Sequence, residues 1–412
     1  MRFPPSFPRR RIIALRPTLL FLSVTGLLAL PPPRHPWFYK AFYTGYFAFA
    51  LPSTFVVTLL TTVEVVEHRS EVDALADRGV ILAALIVILV KQNTLVLNGP
   101  RVEGWIAEIQ RRRAAASSAA ERTRFVRNDA EAALLIKLFF VVWILIVVAF
   151  LSPLYFGAPD ADAHRLPSVG TSLLGVETDL DFALAYAWNT AALSIAILGV
   201  LGADFFMVGM YAEAARRLEA LGERLRSVGR DAEGPQHPPR KLADFDSHRR
   251  FLERSVDEHS DVVSFVAELN RVYYCTLLFQ SVLVAALIGG CGFYAFVVRI
   301  LFDSDTSFLN GDKSSFFKSV MYISAVIGQN WLISKFGDRL KRASVNVAED
   351  LWNSCWYELP VKDRSTVLLI MRASQKSLHM SAGTIFQMDL ESLGFILSSS
   401  YSYFTVLRNM YK

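Results

Sequence analysis

Seven stretches of this chain stay apolar for long enough to cross hydrocarbon about 30 Å thick as helices. They are residues 38–63, 80–97, 133–154, 182–211, 272–302, 316–336 and 390–407. In lipid every backbone N–H and C=O must find its partner within the protein, so such segments are helices or closed barrels, and runs this long are helices. The expected fold class is therefore an all-α membrane protein with seven transmembrane helices. Composition agrees: 53% of residues are hydrophobic and only 20% are charged, below the quarter usual in soluble domains. The second stretch carries Lys91 and Asn93 near one end, where a long cation can snorkel to the interface. The seventh, with Ser398, Ser399, Ser400 and Ser402, is too polar to face lipid on all sides. An earlier apolar run, 12–30, follows Arg9, Arg10 and Arg11 and is shortened by Pro17 and by Pro31, Pro32 and Pro33. Three readings stay open for it: an interfacial or re-entrant segment, a cleaved signal, or a further span.

Cations between the spans set the orientation. The N-terminus holds Arg2, Arg9, Arg10, Arg11, Arg16, Arg34 and Lys40, and the connections after spans two, four and six are similarly basic. The alternate connections are acidic, with Glu64, Glu67, Glu71, Asp73 and Asp77 in one and Asp160, Asp162, Glu177, Asp179 and Asp181 in the other. A cytoplasmic N-terminus follows, and after seven spans an external C-terminus. This orientation disfavours a G-protein-coupled receptor, which runs the other way and carries an acidic-Arg-aromatic motif after its third span that has no counterpart here.

The fourth span does not stop at the membrane. Leu218, Leu221, Leu225 and Val228 continue its apolar stripe at spacings of three and four. Residues 231–240, with Gly234, Pro235, Pro238 and Pro239, form a loop. Helical pattern resumes through Leu252, Val256, His259, Val263 and Val266, and again after the sixth span through Leu340, Val347, Leu351 and Cys355, until Pro360 ends it. These cytoplasmic stripes need partner helices, so a cytoplasmic helical bundle is expected, built by one chain or several. His248 and His259 share a face near Glu253 and Asp257, but without an i,i+4 histidine pair they read as structural, and no metal is expected. The three cysteines, Cys275, Cys291 and Cys355, suggest no disulfide framework. No nucleophile elbow, phosphate loop or paired-carboxylate motif stands out. The chain is therefore not expected to be an enzyme, and no cofactor or nucleic-acid partner is implied.

The last sixty or so residues carry several distinct elements in order. These are Trp352, Trp356, Tyr357 and Pro360; then Arg372, Ala373 and Lys376; then Ala382 and Gly383; then Ser402, Tyr403, Phe404, Thr405, Leu407 and Arg408. This region resembles the C-terminal part of insect odorant receptors, with Asp204, Phe205, Phe206 and His259 as weaker upstream echoes. Ser374 intrudes in the Arg-Ala-Gln-Lys-like run. The 231–240 loop is too short for the insertion that marks the odorant co-receptor, so the resemblance is to a tuning-type subunit. The related gustatory receptors end in a Gln-Phe pattern that this chain lacks, and they are the alternative within the same superfamily.

The resemblance implies an odorant-gated, non-selective cation channel in the cell membrane of a sensory neuron dendrite. It implies a tetramer, formed with the co-receptor or with copies of itself, whose terminal helices line one pore. The expected organisation is an N-terminal segment at 1–36, spans one to six with their extensions at 37–342, anchor helices at 343–385 and the pore helix at 386–412. The sequence agrees on its own terms, since Phe395, Ser399, Ser402, Val406 and Met410 (or Asn409) fall on one helical face. Serines toward water and an apolar pair at the outer end would make a wet conduit closed by dewetting. Without the resemblance, the same serines serve equally as hydrogen-bonding partners in a plain helical bundle. By motif match Val406 and Met410 take the family's gate positions. The ligand, a small volatile organic molecule, is expected in the outer half of spans two, three, four and six. Those stretches offer Val80, Ala84, Val147, Phe150, Leu151, Tyr186, Asn189, Phe317, Met321 and Tyr322. Residue for residue, packing is the commoner role for such side chains.

Overall fold

A computed structural model describes residues 36–69, 72–115, 134, 137–139, 141–142, 144, 178–228, 243–303, 312–383 and 385–411. Within these, side chains at 36–48, 50, 72–77, 80, 113–115, 243–248, 294–303, 312–319 and 411 are not described. Helices dominate: α1 (Pro36–Glu67), α2 (Val72–Leu97), α3 (Gly99–Ala115), α4 (Asp179–Leu225), α5 (Ala243–Asp303) and α6 (Asp312–Trp352). A short 3-10 turn (Trp356–Glu358), α7 (Val361–Ser374), a hairpin of β1 (Ser381–Ala382) and β2 (Phe386–Gln387), and α8 (Leu390–Tyr411) complete the order. Among the described residues, α4 and α5 are long and apolar enough to cross a membrane, and the bent pair α2–α3 adds a third candidate.

Local chemistry sets the ends of these elements. Asp181 N–H donates to Thr178 Oγ1 at 3.2 Å while Asp181 Oδ2 accepts from the Thr178 N–H and hydroxyl, a reciprocal cap at the start of α4. The α2–α3 pair bends by 69° where Asn98, Gly99 and Pro100 interrupt the run, since proline lacks the N–H a continuing helix needs. In α1, Thr58, Thr61 and Thr62 donate their hydroxyls to the carbonyls of Thr54, Val57 and Thr58, which satisfies those three polar hydrogens within the helix. α1 packs on α2, and Glu64 of the acidic connection pairs with Arg78 at 3.0 Å across them.

The chain forms two compact units. One comprises residues 1–207, 276–331 and 393–412, and the other residues 208–275 and 332–392. In the second unit the stripe predicted beyond the fourth span is core: Leu218, Leu221, Leu225 and Val228 are buried, as are Leu252, Val266, Leu340, Val347 and Leu351. His259 belongs to this seam, its Nε2 lying 3.3 Å from Ser374 Oγ of α7. Glu219 and Arg339 form a two-bond ion pair, each bond 2.8 Å, between α4 and α6.

Two expectations change here. α6 ends at Trp352, well before Pro360, because the chain turns to bond Cys355 N–H to the Val228 carbonyl at 3.1 Å. Pro360 instead caps the start of α7, where its missing N–H costs nothing. The other change is at Lys91. Far from snorkelling, its side chain is 2% exposed and bonded to Asp204. The reason is the carboxylate on α4, which gives a buried ammonium a closer partner than the interface does. The loop at 231–240 and the run at 12–30 lie outside the described residues.

Candidate functional site

α8 is a helix with two unlike sides. On one, Leu393, Ile396 and Ser400 are buried, Ile396 in a cluster with Val284 of α5 and Val326 of α6. Ala285, Ile288 and Tyr322 pack on the same cluster. Gly289 of α5 faces α8 so closely that a Cβ there would sit 3.2 Å from the Ser400 carbonyl and from Tyr403 Cβ. Gly292, one turn on, faces the Phe404 ring. The glycines open a notch in α5 that lets the backbones approach, the device small residues provide between membrane helices.

On the other side, Phe395 is 59% exposed, Val406 56% and Met410 80%, with Ser402 and Asn409 exposed and Ser399 half-buried. The predicted residues thus share one side of the helix, and most of that side is exposed in the single chain. Ser402 Oγ donates to the Ser398 carbonyl at 3.1 Å and Thr405 Oγ1 to that of Tyr401 at 2.9 Å. With the hydroxyl protons spent inside the helix, oxygen lone pairs remain for water or a cation.

The root of α8 is held within the second unit. Asp389 Oδ1 accepts the Ser392 N–H at 2.9 Å, an N-cap, while Oδ2 takes Lys341 Nζ at 2.8 Å. Burial pushes the Asp389 carboxyl up, but the bonds from Lys341 and Ser392 outweigh it and hold the group below the usual carboxylate value. Gly337 of α6 faces the Met388 carbonyl too closely for any Cβ to fit. The hairpin before α8 turns at Gly383, whose φ of 64° suits glycine. Asn270 of α5 pins this hairpin: its Oδ1 accepts from Tyr211 at 2.8 Å and from Ser381 N–H at 3.0 Å, and its Nδ2 donates to the His379 carbonyl at 2.9 Å.

Of the candidate ligand contacts, Asn189 is buried, and Ala84, Tyr186, Met321 and Tyr322 are half-buried. Tyr186 lies against Phe182 with ring centroids 6.0 Å apart. Val147, Phe150 and Leu151, and the side chains of Val80 and Phe317, lie outside the described residues.

Sequence reading missed a polar network in the first unit. Lys91 Nζ of α2 lies 2.7 Å from both carboxylate oxygens of Asp204 on α4, and Gln329 of α6 also donates to Asp204. Beside it Gln280 Nε2 donates to Asn330 Oδ1 at 3.2 Å, and the Thr94 and Thr276 hydroxyls meet at 2.7 Å. The signal was present: a lysine and an aspartate, each alone in an apolar run, are costly in lipid and so are found paired. Asn270 had no such signal, because it stands in a polar stretch among many polar neighbours.

Long apolar helices with buried polar pairs between them define a multipass, all-helical membrane protein. The profile of the family described as 7tm Odorant receptor matches residues 71–401. The chain belongs to that family, whose members are receptors in olfaction rather than enzymes. It is 26% identical over 160 residues to Odorant receptor 10 of Aedes albopictus, covering 38% of each chain. It is 22% identical over 232 residues to Odorant receptor 49a of Drosophila melanogaster, covering 56% of this chain and 53% of that one. The chain thus spans between about two fifths and half of the length of these curated relatives. The insect olfactory receptor OR5 from Machilis hrabei, solved in complex with eugenol, superposes with a TM-score of 0.78. That likeness covers 96% of this chain and 97% of the other at 14% identity, and it shows a shared fold.

Proposed function

We propose that this chain is an odorant-binding subunit of a tetrameric, odorant-gated cation channel, with α8 of each subunit lining a central pore. The uncovered face of α8 carries the reading. The helix has 22 residues, about 33 Å at 1.5 Å per residue, enough to cross the hydrocarbon. Its inner side is committed to α5 and α6, so its serine-bearing side needs either water or a second chain, and a ring of copies supplies both. Phe395, Ser399, Ser402 and Asn409 then line the conduit, and Val406 and Met410 form the apolar constriction that closes it by dewetting.

The ligand site proposed lies within each subunit, toward the outer half of spans two, three, four and six. Val80, Ala84, Val147, Phe150, Leu151, Tyr186, Asn189, Phe317, Met321 and Tyr322 are its candidate contacts. Apolar area with one or two hydroxyl or amide groups suits a small neutral volatile molecule, and the eugenol bound by the Machilis receptor is of that chemistry. The N-terminus is cytoplasmic, the polar extensions form an intersubunit anchor, and the membrane is that of a sensory neuron dendrite. The short 231–240 stretch favours assembly beside a co-receptor over self-assembly.

Single-channel recording tests this. Val406→Ser should lower the cost of wetting the closed pore and raise basal cation leak. Met410→Trp should reduce unitary conductance with little change in odorant sensitivity, and Tyr322→Ala should shift the dose–response curve at unchanged conductance. If Val406→Ser leaves leak, conductance and ion selectivity untouched, α8 does not line the pore.

A further inference from the structure

Asp204 is reached from two helices, and its two partners differ in kind. Lys91 of α2 neutralises it through bonds of 2.7 Å to both oxygens. In a membrane-spanning core neither charge is tolerated without the other, so α2 and α4 stay joined. Gln329 of α6 is neutral. When its bond is lost the ion pair remains whole, and the freed amide can turn to another acceptor. On its other flank α6 is also held by a neutral contact, Gln280 to Asn330. Within the first unit an ionic frame of α2 and α4 therefore stands beside a stretch of α6 held by exchangeable amide bonds, while the Glu219–Arg339 ion pair ties α4 to α6 in the second unit.

α6, together with α5, touches the inner side of α8. Val326 shares a cluster with Ile396, and Tyr322 packs on that cluster. Tyr322 stands two turns before Gln329, so the two lie on nearly the same face of α6. A shift of α6 that moves Val326 against Ile396 must also move Gln329 against Asp204.

We propose that Gln329 is a positioning residue for gating: its hydrogen bond to Asp204 latches α6 to the α2–α4 frame at rest and is released when the channel opens. This rests on the channel reading above, and it assigns the latch to one side chain. Whole-cell current without odorant, normalised to surface label, is the readout. Gln329→Leu should raise that current about tenfold, the shift that follows from losing one hydrogen bond to a charged group. Surface amount and unitary conductance should not change. In a Lys91→Met, Asp204→Leu background, where the acceptor is gone, Gln329→Leu should add nothing. An equal rise in both backgrounds overturns the latch, because Gln329 would then act elsewhere. If the double variant does not reach the surface, Gln329→Asn serves, since its amide stops one methylene short of Asp204. It must raise the current as leucine does, and a wild-type level overturns the proposal. Val406→Ser separates the two readings. A leak from Val406→Ser but none from Gln329→Leu sinks the latch and keeps the channel, whereas silence from both sinks the channel reading and the latch with it.

Discussion

His259 shows how one side chain couples packing to solution conditions. Its ring is buried in the seam between α5 and α7 beside Ser374, and burial lowers its pKa because the charged form loses water. Above the unfolded value of about 6.5 the ring is neutral in both states, and its contribution to stability is fully present. As pH falls through that value toward the lower folded one, the unfolded chain takes up the proton first and stability declines. His259→Gln keeps a donor near Ser374 and removes the titration. The melting temperature of the detergent-purified variant should therefore drop less between pH 7.5 and pH 5 than that of the parent. Equal drops would show that the ring does not carry this dependence. That His259 is structural could be read from its place in an apolar stripe, but its partner could not, because Ser374 is 115 positions away and no local pattern links them.

At the scale of elements, legibility followed periodicity. The stripe through Leu218, Leu221 and Leu225 announced a buried helical face, and so did Val347 and Leu351, because helical spacing is a local property. The end of α6 was misplaced since the tertiary bond from Cys355 to Val228, and not the proline, turns the chain. On α8 the exposed face was legible, but its seat was not: nothing in a run of glycines in α5 says which helix they admit. The seat can be tested. Gly289→Ala places a Cβ 3.2 Å from the Ser400 carbonyl and asks the neighbour to yield slightly, so it should be tolerated. Gly289→Val adds branches that cannot fit without moving α8, at a cost of about 1–3 kcal/mol. Thermal unfolding of the two purified variants should separate them in that order, and equal stability would mean α8 is not held at this notch.

For the whole molecule, the cations between spans set the expected orientation. Epitope tags on the two ends of the chain, stained before and after permeabilisation, should show the N-terminal tag only after permeabilisation and the C-terminal tag in intact cells. An N-terminal tag visible on intact cells would reverse the assignment and with it the placing of the basic extensions in the cytoplasm. The family was legible from the last part of the chain, where motifs are dense. That Lys91 and Asp204 each need a counter-charge was legible from their places in apolar runs, but that they meet each other was not, because the pairing exists only in three dimensions. The two sides of α8 carry a different consequence, for inheritance. Ile396 and Ser400 are tied to α5 and α6, while Val406 and Met410 touch little else in their own chain. Replacements on the open side thus carry little folding cost and are held back by conduction instead, so a duplicated gene can change its conduit there while every intermediate still folds. Replacements on the seated side need compensating changes in α5 or α6, so the two halves of one helix should accumulate substitutions at different rates.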